Sequence, residues 1–363
     1  MKKIILSFVV VFLSVSAFSQ AYIACARKEK EWGYIDESGK WAVNPQFEHV
    51  HNISEGLAAF RSGGEWGFVD KTGKIIINPQ FENVSDFHSG LAAVQKGKEW
   101  GFIDKTGKWI VNPQFEKALD FAENVAAVSN HGEWGFIDKT GSYIVNPQFN
   151  KAESFSENLA AVLMGRDWGY IDKKGTWVIN PQFEYAEPFI DGLAKVRKAG
   201  EWGFINNSGL YIINPQFELA NDFSEGLAAV RKGADWGFID KKGNYVINPQ
   251  FQDAGDFSEG LAPFKKGKEW GFVDKTGKYI INPQFLNAKG FVDGLAAVMI
   301  LKEWGYIDKK GGWVVNPQFE RAYDFKNNRA MVQKAGEIGW IDKSGTYIIN
   351  PQFPNAFDFF KAD

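Results

Sequence analysis

From residue 20 onward the pattern of apolar and polar positions repeats every 34 residues. Each unit carries short apolar runs, such as Leu57-Ala58-Ala59-Phe60, Trp66-Gly67-Phe68-Val69 and Ile75-Ile76-Ile77, separated by clusters of Gly, Asp, Asn and Pro. Runs of this length between turn-forming residues predict strands, since a helix needs a longer run with a different period. In the second unit the expected strands are Leu57 to Arg61, Glu65 to Asp70 and Lys74 to Asn78, joined as antiparallel neighbours.

The turns carry their own chemistry. Asp70-Lys71-Thr72-Gly73 reads as a type I turn followed by a left-handed glycine, with the carboxylate accepting from backbone N–H groups. The glycine recurs in every copy from Gly39 to Gly345, and Asn206 replaces the Asp in the sixth. A second column holds Gly56, Gly90, Gly192, Gly226, Gly260 and Gly294, exchanged for Asn124, Asn158 and Asn328. Asn is the usual substitute for Gly where φ is positive, so positive φ is expected there. The proline of Asn-Pro-Gln-Phe has no N–H and is expected to end the ladder of the third strand.

Trp-Gly stands at Trp32, Trp66, Trp100, Trp134, Trp168, Trp202, Trp236, Trp270 and Trp304; in the tenth unit Ile338-Gly339-Trp340 moves the aromatic two places on. One unit cannot bury its own apolar surface, so stability must come from stacking. Third strands such as Tyr211-Ile212-Ile213 are apolar on both faces, which predicts sheets covered on both sides. The expected fold is all-β, a tandem array of ten three-stranded antiparallel units in an open superhelical solenoid stack. A closed propeller-like ring is the alternative, disfavoured because no strand reads as divided between the termini. Arg329, where other units carry an apolar residue, reads as the solvated cap of an exposed end.

These motifs resemble the WG-repeat family of bacterial proteins, whose unit is similar to Glu65-Trp66-Gly67-Phe68-Val69-Asp70-Lys71-Thr72-Gly73-Lys74, then Asn78-Pro79-Gln80-Phe81 and Gly90-Leu91-Ala92-Ala93-Val94. The resemblance spans residues 20–363 and implies a repeat scaffold used for interaction, with no shared activity.

Residues 1–19 read as a cleaved signal peptide: Lys2 and Lys3, the apolar stretch Ile4 to Val15, and the small-x-small site Ala17-Phe18-Ser19. The expected location is therefore exported, whether periplasmic, cell-surface or extracellular, with no membrane insertion after cleavage. Losing the two lysines takes the formal charge from -3 to -5 with no basic stripe, which argues against nucleic acid. Cys25 is the single cysteine, so no intramolecular disulfide can form.

Just after each turn comes an aromatic column: Trp41, Trp109, Tyr143, Trp177, Tyr211, Tyr245, Tyr279, Trp313 and Tyr347, broken only by Ile75. Such rings could stack on a sugar or a partner; alternatively they cover the Gly of Trp-Gly on the neighbouring strand. The near-constant Trp of Trp-Gly reads as core. The acidic residues flanking it, Glu31 and Asp36 in the first unit, read as turn caps rather than a calcium row, and His49 and His51 lack further ligands for a metal. Every potential catalytic side chain is duplicated across units, whereas an active site needs one asymmetric constellation. No catalytic residue, metal or cofactor is expected. The expected function is a non-enzymatic scaffold for a protein partner, with glycan binding by the aromatic column as the alternative.

Overall fold

The computed structural model describes residues 22–361, so the signal-peptide reading of residues 1–19 lies outside the described residues. The chain forms β1 (Tyr22–Lys28), β2 (Glu31–Asp36), β3 (Trp41–Phe47), β4 (His49–Val50), β5 (Leu57–Ser62), β6 (Glu65–Asp70) and β7 (Ile75–Phe81), and the pattern then repeats. The second, third and fourth of a unit's strands are joined by the turns read from the sequence. Thr72 and Lys74 donate their backbone N–H groups to Asp70 Oδ1 at 2.8 and 3.1 Å, and Asn206 takes the same role toward Ser208 and Leu210. Asn124, Asn158 and Asn328 have φ of 69, 66 and 61°, alongside φ of 88° at Gly56, so the Gly/Asn column is left-handed as expected.

The units are four-stranded, which corrects the three-stranded expectation. β4, only two residues long, opens the sheet β4-β5-β6-β7, although it follows directly on Phe47 of the preceding unit. Each unit therefore lends a short strand to the next blade. The last unit lends its own to the first: Asn355–Ala356 pairs with β1 through Ala26↔Ala356 and Arg27↔Asn355, and Phe360 pairs with Ile23. The array is thus a closed ring, a ten-bladed propeller of four-stranded antiparallel sheets, and not an open solenoid. The sheet that closes the ring is the divided strand set whose absence had favoured the open form.

At every joint, including the closing one, the turn glycine packs on a Val or Ile of the preceding blade. A Cβ placed on Gly73 of the second blade's turn would lie 2.7 Å from Val43 Cγ1 of the first blade; one on Gly39 would lie 2.9 Å from Ile349 Cγ2 of the tenth. Phe359, Trp340, Phe353, Ala24 and Ile35 form one buried cluster from the last and first blades. Burial of each such ring is worth roughly 1.5–3 kcal/mol.

Two further expectations are corrected. Proline does not end the third strand: in the third blade Phe102 pairs with Val111, Asn112-Pro113-Gln114 bulge outward, and pairing resumes at Trp100↔Phe115. The proline sits in the bulge, where no ladder N–H is needed. This bulge brings main chain against the Gly of Trp-Gly, since a Cβ on Gly101 would stand 2.5 Å from Val111 O and 2.7 Å from Pro113 N. Nor are the third strands covered on both faces: Ile76, Ile212, Val246 and Ile348 are exposed.

Candidate functional site

The aromatic column lies at the joints. Each ring meets the Asn-Pro-Gln-Phe phenyl of the preceding blade: Trp109 on Phe81 at 5.8 Å, Trp177 on Phe149 at 5.7 Å, and Trp41 on Phe353 at 5.6 Å across the closure. Tyr143, Tyr211, Tyr245, Tyr279, Trp313 and Tyr347 meet Phe115, Phe183, Phe217, Phe251, Phe285 and Phe319 in the same way. Tyr143 and Trp313 are exposed and the other seven half-buried. They do not cover the Gly of Trp-Gly, because the Asn-Pro bulge occupies that place.

The Trp-Gly rings stand elsewhere, near the two-residue edge strands, and their neighbours change from blade to blade. Phe357 stacks on Trp32 at 5.0 Å, His51 lies 4.8 Å from Trp66, and Tyr185 lies 5.7 and 5.8 Å from Trp168 and Trp202. Lys195 sits 5.4 Å over Trp202 and Lys289 5.8 Å over Trp304. Trp32, Trp168 and Trp236 are buried, while the other six are only half-buried, so the constant indole forms the floor of an edge whose walls are copy-specific. All nine indoles belong to or pack against the buried clusters, in keeping with the core role read from their near-invariance, and six of them also reach this edge. The signal that would have found the edge lies in the columns beside it, such as His51, Ser85, Leu119, Glu153 and Gly255, which share no chemistry.

The histidines do not converge. His51 Nδ1 lies 2.8 Å from Asp86 Oδ1 of the next blade, His88 pairs with Asp120 at 3.4 Å, and no group of three His, Cys, Asp or Glu stands together among the described residues. Cys25 is buried with Sγ 3.4 Å from Asn52 Oδ1, and burial pushes its thiol far above the ordinary range, so it carries no thiolate chemistry.

On one face, acidic residues ahead of the left-handed column tie blades together. Glu225 accepts from Gly260 N at 3.0 Å and pairs with Lys275 at 3.1 Å; Glu55, Glu123 and Glu259 do the same with the corresponding backbone and lysine. On the other face a side-chain oxygen accepts from the hairpin tip, as Glu116 does for Gly132 N at 2.9 Å, Glu320 for Gly336 N at 3.0 Å and Asn150 for Gly165 N at 2.7 Å. The ninth blade departs from this. Leu286 replaces the accepting side chain and is 47% exposed, and the tip is Ile300-Leu301-Lys302 with Leu301 84% exposed. Leu301 and Lys302 both hold left-handed backbone, φ 50 and 73°, without a glycine between them.

Sheet topology and closure together define an all-β propeller built from one repeated blade. The profile of the WG containing repeat matches the chain ten times, from residues 32–66 to 338–361, and the chain belongs to that family. A crystal structure of the eukaryotic initiation factor is similar in fold, with 10% identity and a TM-score of 0.54 over 94% of this chain and 98% of that one. A crystal structure of Kluyvelomyces marxianus Hsv2 matches at 10% identity and a TM-score of 0.37 over 65% of this chain and 95% of that one. Among curated proteins none matches.

Proposed function

We propose that the ring is an exported, non-enzymatic platform that holds a protein partner. The observation carrying this reading is the ninth-blade tip. Leu301 in left-handed backbone costs roughly 1–2 kcal/mol that a glycine would avoid, and its side chain gains no packing in return, being 84% exposed. Leu286 N donates to Met299 O at 2.8 Å, so a second exposed leucine is held beside the same hairpin. An apolar knob on a strained turn, projecting from a rigid ring, suits insertion into an apolar pocket of another protein. The export part of the reading rests on Lys2, Lys3 and the apolar stretch after them.

The test is affinity capture from native cell envelope with the wild-type ring and with Leu301→Gly, each quantified against a bead control. Glycine restores the residue type that the second, third, fifth, seventh and eighth blades carry at this place, so the variant is expected to fold at least as stably as the wild type. Capture of a defined partner should fall by roughly tenfold or more, a loss of about 1.4 kcal/mol. Equal capture by both proteins would refute the knob as the docking element.

A further inference from the structure

We infer that the cleft between the fourth and fifth blades, floored by Trp134, is a binding site for a single pyranose ring. The inference is independent of the ninth-blade knob.

In eight blades the residue opposite the Trp of Trp-Gly on the neighbouring strand is long, Arg27, Arg61, Gln95, Leu163, Arg197, Arg231, Lys265 and Met299, and in the tenth Gln333 faces Ile338. In the fourth it is Ser129, paired with Trp134 across the ladder and only 2% exposed, the one buried polar residue among those described. Ser129 is the shortest side chain at this place in the ten blades, whereas at Trp270 the cross-strand Lys265 reaches over the ring at 6.0 Å. Trp100 shows the alternative, where Gln95 and Asn83 join side chains across the same position at 2.5 Å. No ring or cation stacks on Trp134 among the described residues, whereas Trp32, Trp66, Trp168, Trp202, Trp270 and Trp304 each have one.

The result is a cleft of about 350 Å³ that reaches Ser129 and is walled by Lys117, Lys151, Glu116, Glu153 and Asn150. Its size suits one small ring. Its rim is close to neutral, with two lysines against two glutamates, so no anionic group is called for. Donors and acceptors alternate. Glu116 spends one oxygen on Gly132 N and Asn150 spends its carbonyl on Gly165 N at 2.7 Å, which leaves the second carboxylate oxygen and the amide NH₂ for a ligand. Burial raises the Glu153 carboxyl above its ordinary value, as expected for an acceptor placed in a partly desolvated pocket. A pyranose meets both demands: one face offers C–H bonds to the electron-rich indole, and its edge carries hydroxyls that both donate and accept. A peptide aromatic side chain would use the floor and leave the charged rim desolvated without partners.

The probes are cellotetraose, laminaritetraose, chitotetraose and β-1,4-galactotetraose, each at millimolar concentration, read by saturation-transfer NMR on the full ring. The control is Ser129→Arg, which installs the residue that four other blades already accommodate and refills the cleft, so its fold should be unaffected. At least one sugar should receive saturation on its ring protons from the wild type, and Ser129→Arg should weaken it tenfold or more with an unchanged melting curve. Silence from all four sugars, or a signal that Ser129→Arg leaves intact, overturns the proposal. Ser129→Ala, which keeps the cleft open, should retain binding to within a few-fold; its complete loss would show that the cleft itself is not the determinant.

Discussion

Arg329 of the tenth blade donates from Nη2 to Glu37 of the first, an ion pair between residues at opposite ends of the chain. At the Glu37 position eight other blades carry Lys, and at the Arg329 position the other nine carry Leu, Val or Ile. The closing joint therefore inverts the charge arrangement of the Glu225–Lys275 kind of joint. Arg329 is 13% exposed, its guanidinium lies 4.7 Å over Phe359, and its Nε and Nη1 are buried without oxygen partners. This overturns its reading as a solvated end cap: it is an interior group that distinguishes the one joint where first and last blades must meet.

Glu37→Lys should consequently be among the more damaging surface-adjacent changes. It leaves the Arg329 charge largely buried and faces it with a second cation; because the Glu37 side chain is 39% exposed and solvent screens part of the pair, the effect is about 1–3 kcal/mol. Adding Arg329→Leu recreates the composition of an ordinary joint and should recover most of that loss. Denaturant unfolding of the two single variants and the double closes a cycle, and additive losses would mean the two residues do not interact.

The Gly of Trp-Gly admits no side chain. A Cβ on Gly135 would come within 2.6 Å of both Val145 O and Pro147 N, main-chain atoms fixed by the bulge. Gly135→Ala is expected to destabilise by roughly 1–3 kcal/mol or more, since backbone cannot rotate aside as a flexible side chain can. By contrast Gly132→Ala, at an open hairpin tip with nothing near its Cβ, should cost only the left-handed backbone term of about 1–2 kcal/mol. Thermal melts of both variants rank them, and equal melts would show that the close approach relaxes.

Much of the architecture was legible because the chemistry that signals it is local. Asp70 and Gly73 need only each other and the intervening backbone to make a turn, so their column declared the turn and the sign of φ. The ring was not legible, because it depends on Asn355 and Ala356, a two-residue strand too short to carry a hydrophobic period. Glu37 and Arg329 did carry a usable signal, opposite departures from the repeat at its two ends, but it reads as a joint only when both are considered together. The bulge at Asn112 to Gln114 was hidden because proline more often stops a ladder than interrupts one that resumes. Near-invariance of the indole announced its packing on the blade core, while the edge beside it is written in its variable neighbours, with Ser129 the outlier.

Acid should unfold the ring through its turns. Side-chain hydrogen bonds from Thr106, Thr140, Thr276 and Ser344 come first among the causes that hold Asp104, Asp138, Asp274 and Asp342 below the ordinary carboxylate range. A carboxyl whose pKa is lower folded than unfolded binds more protons when unfolded, so its stabilisation is complete above the unfolded value, about 4, and is lost as pH falls through the folded one. Melting temperature should be nearly level from neutrality down to about pH 5 and then drop. Replacing several of these aspartates with Asn, as Asn206 already does in the sixth blade, should flatten that acid limb; an unaltered limb would place the acid sensitivity elsewhere.

The closing strand is the element on which a ring, as opposed to a stack, depends. Phe357 N donates to Cys25 O at 2.9 Å, Phe357 stacks on Trp32, and Phe359 is 1% exposed beside Trp340. Removing residues 354–363 would strip these contacts and expose the edge of β1, an unpaired strand able to accept another chain. The truncated protein is expected to lose the single cooperative melt, to become protease-sensitive in the first blade, and to associate as concentration rises. Phe359→Ala alone, which keeps the strand and removes one ring, should cost about 3–5 kcal/mol while the protein stays monodisperse. Size-exclusion chromatography with light scattering separates the two outcomes: a truncated chain that remains monodisperse with an undiminished melt would mean the first and tenth blades hold together without the shared sheet.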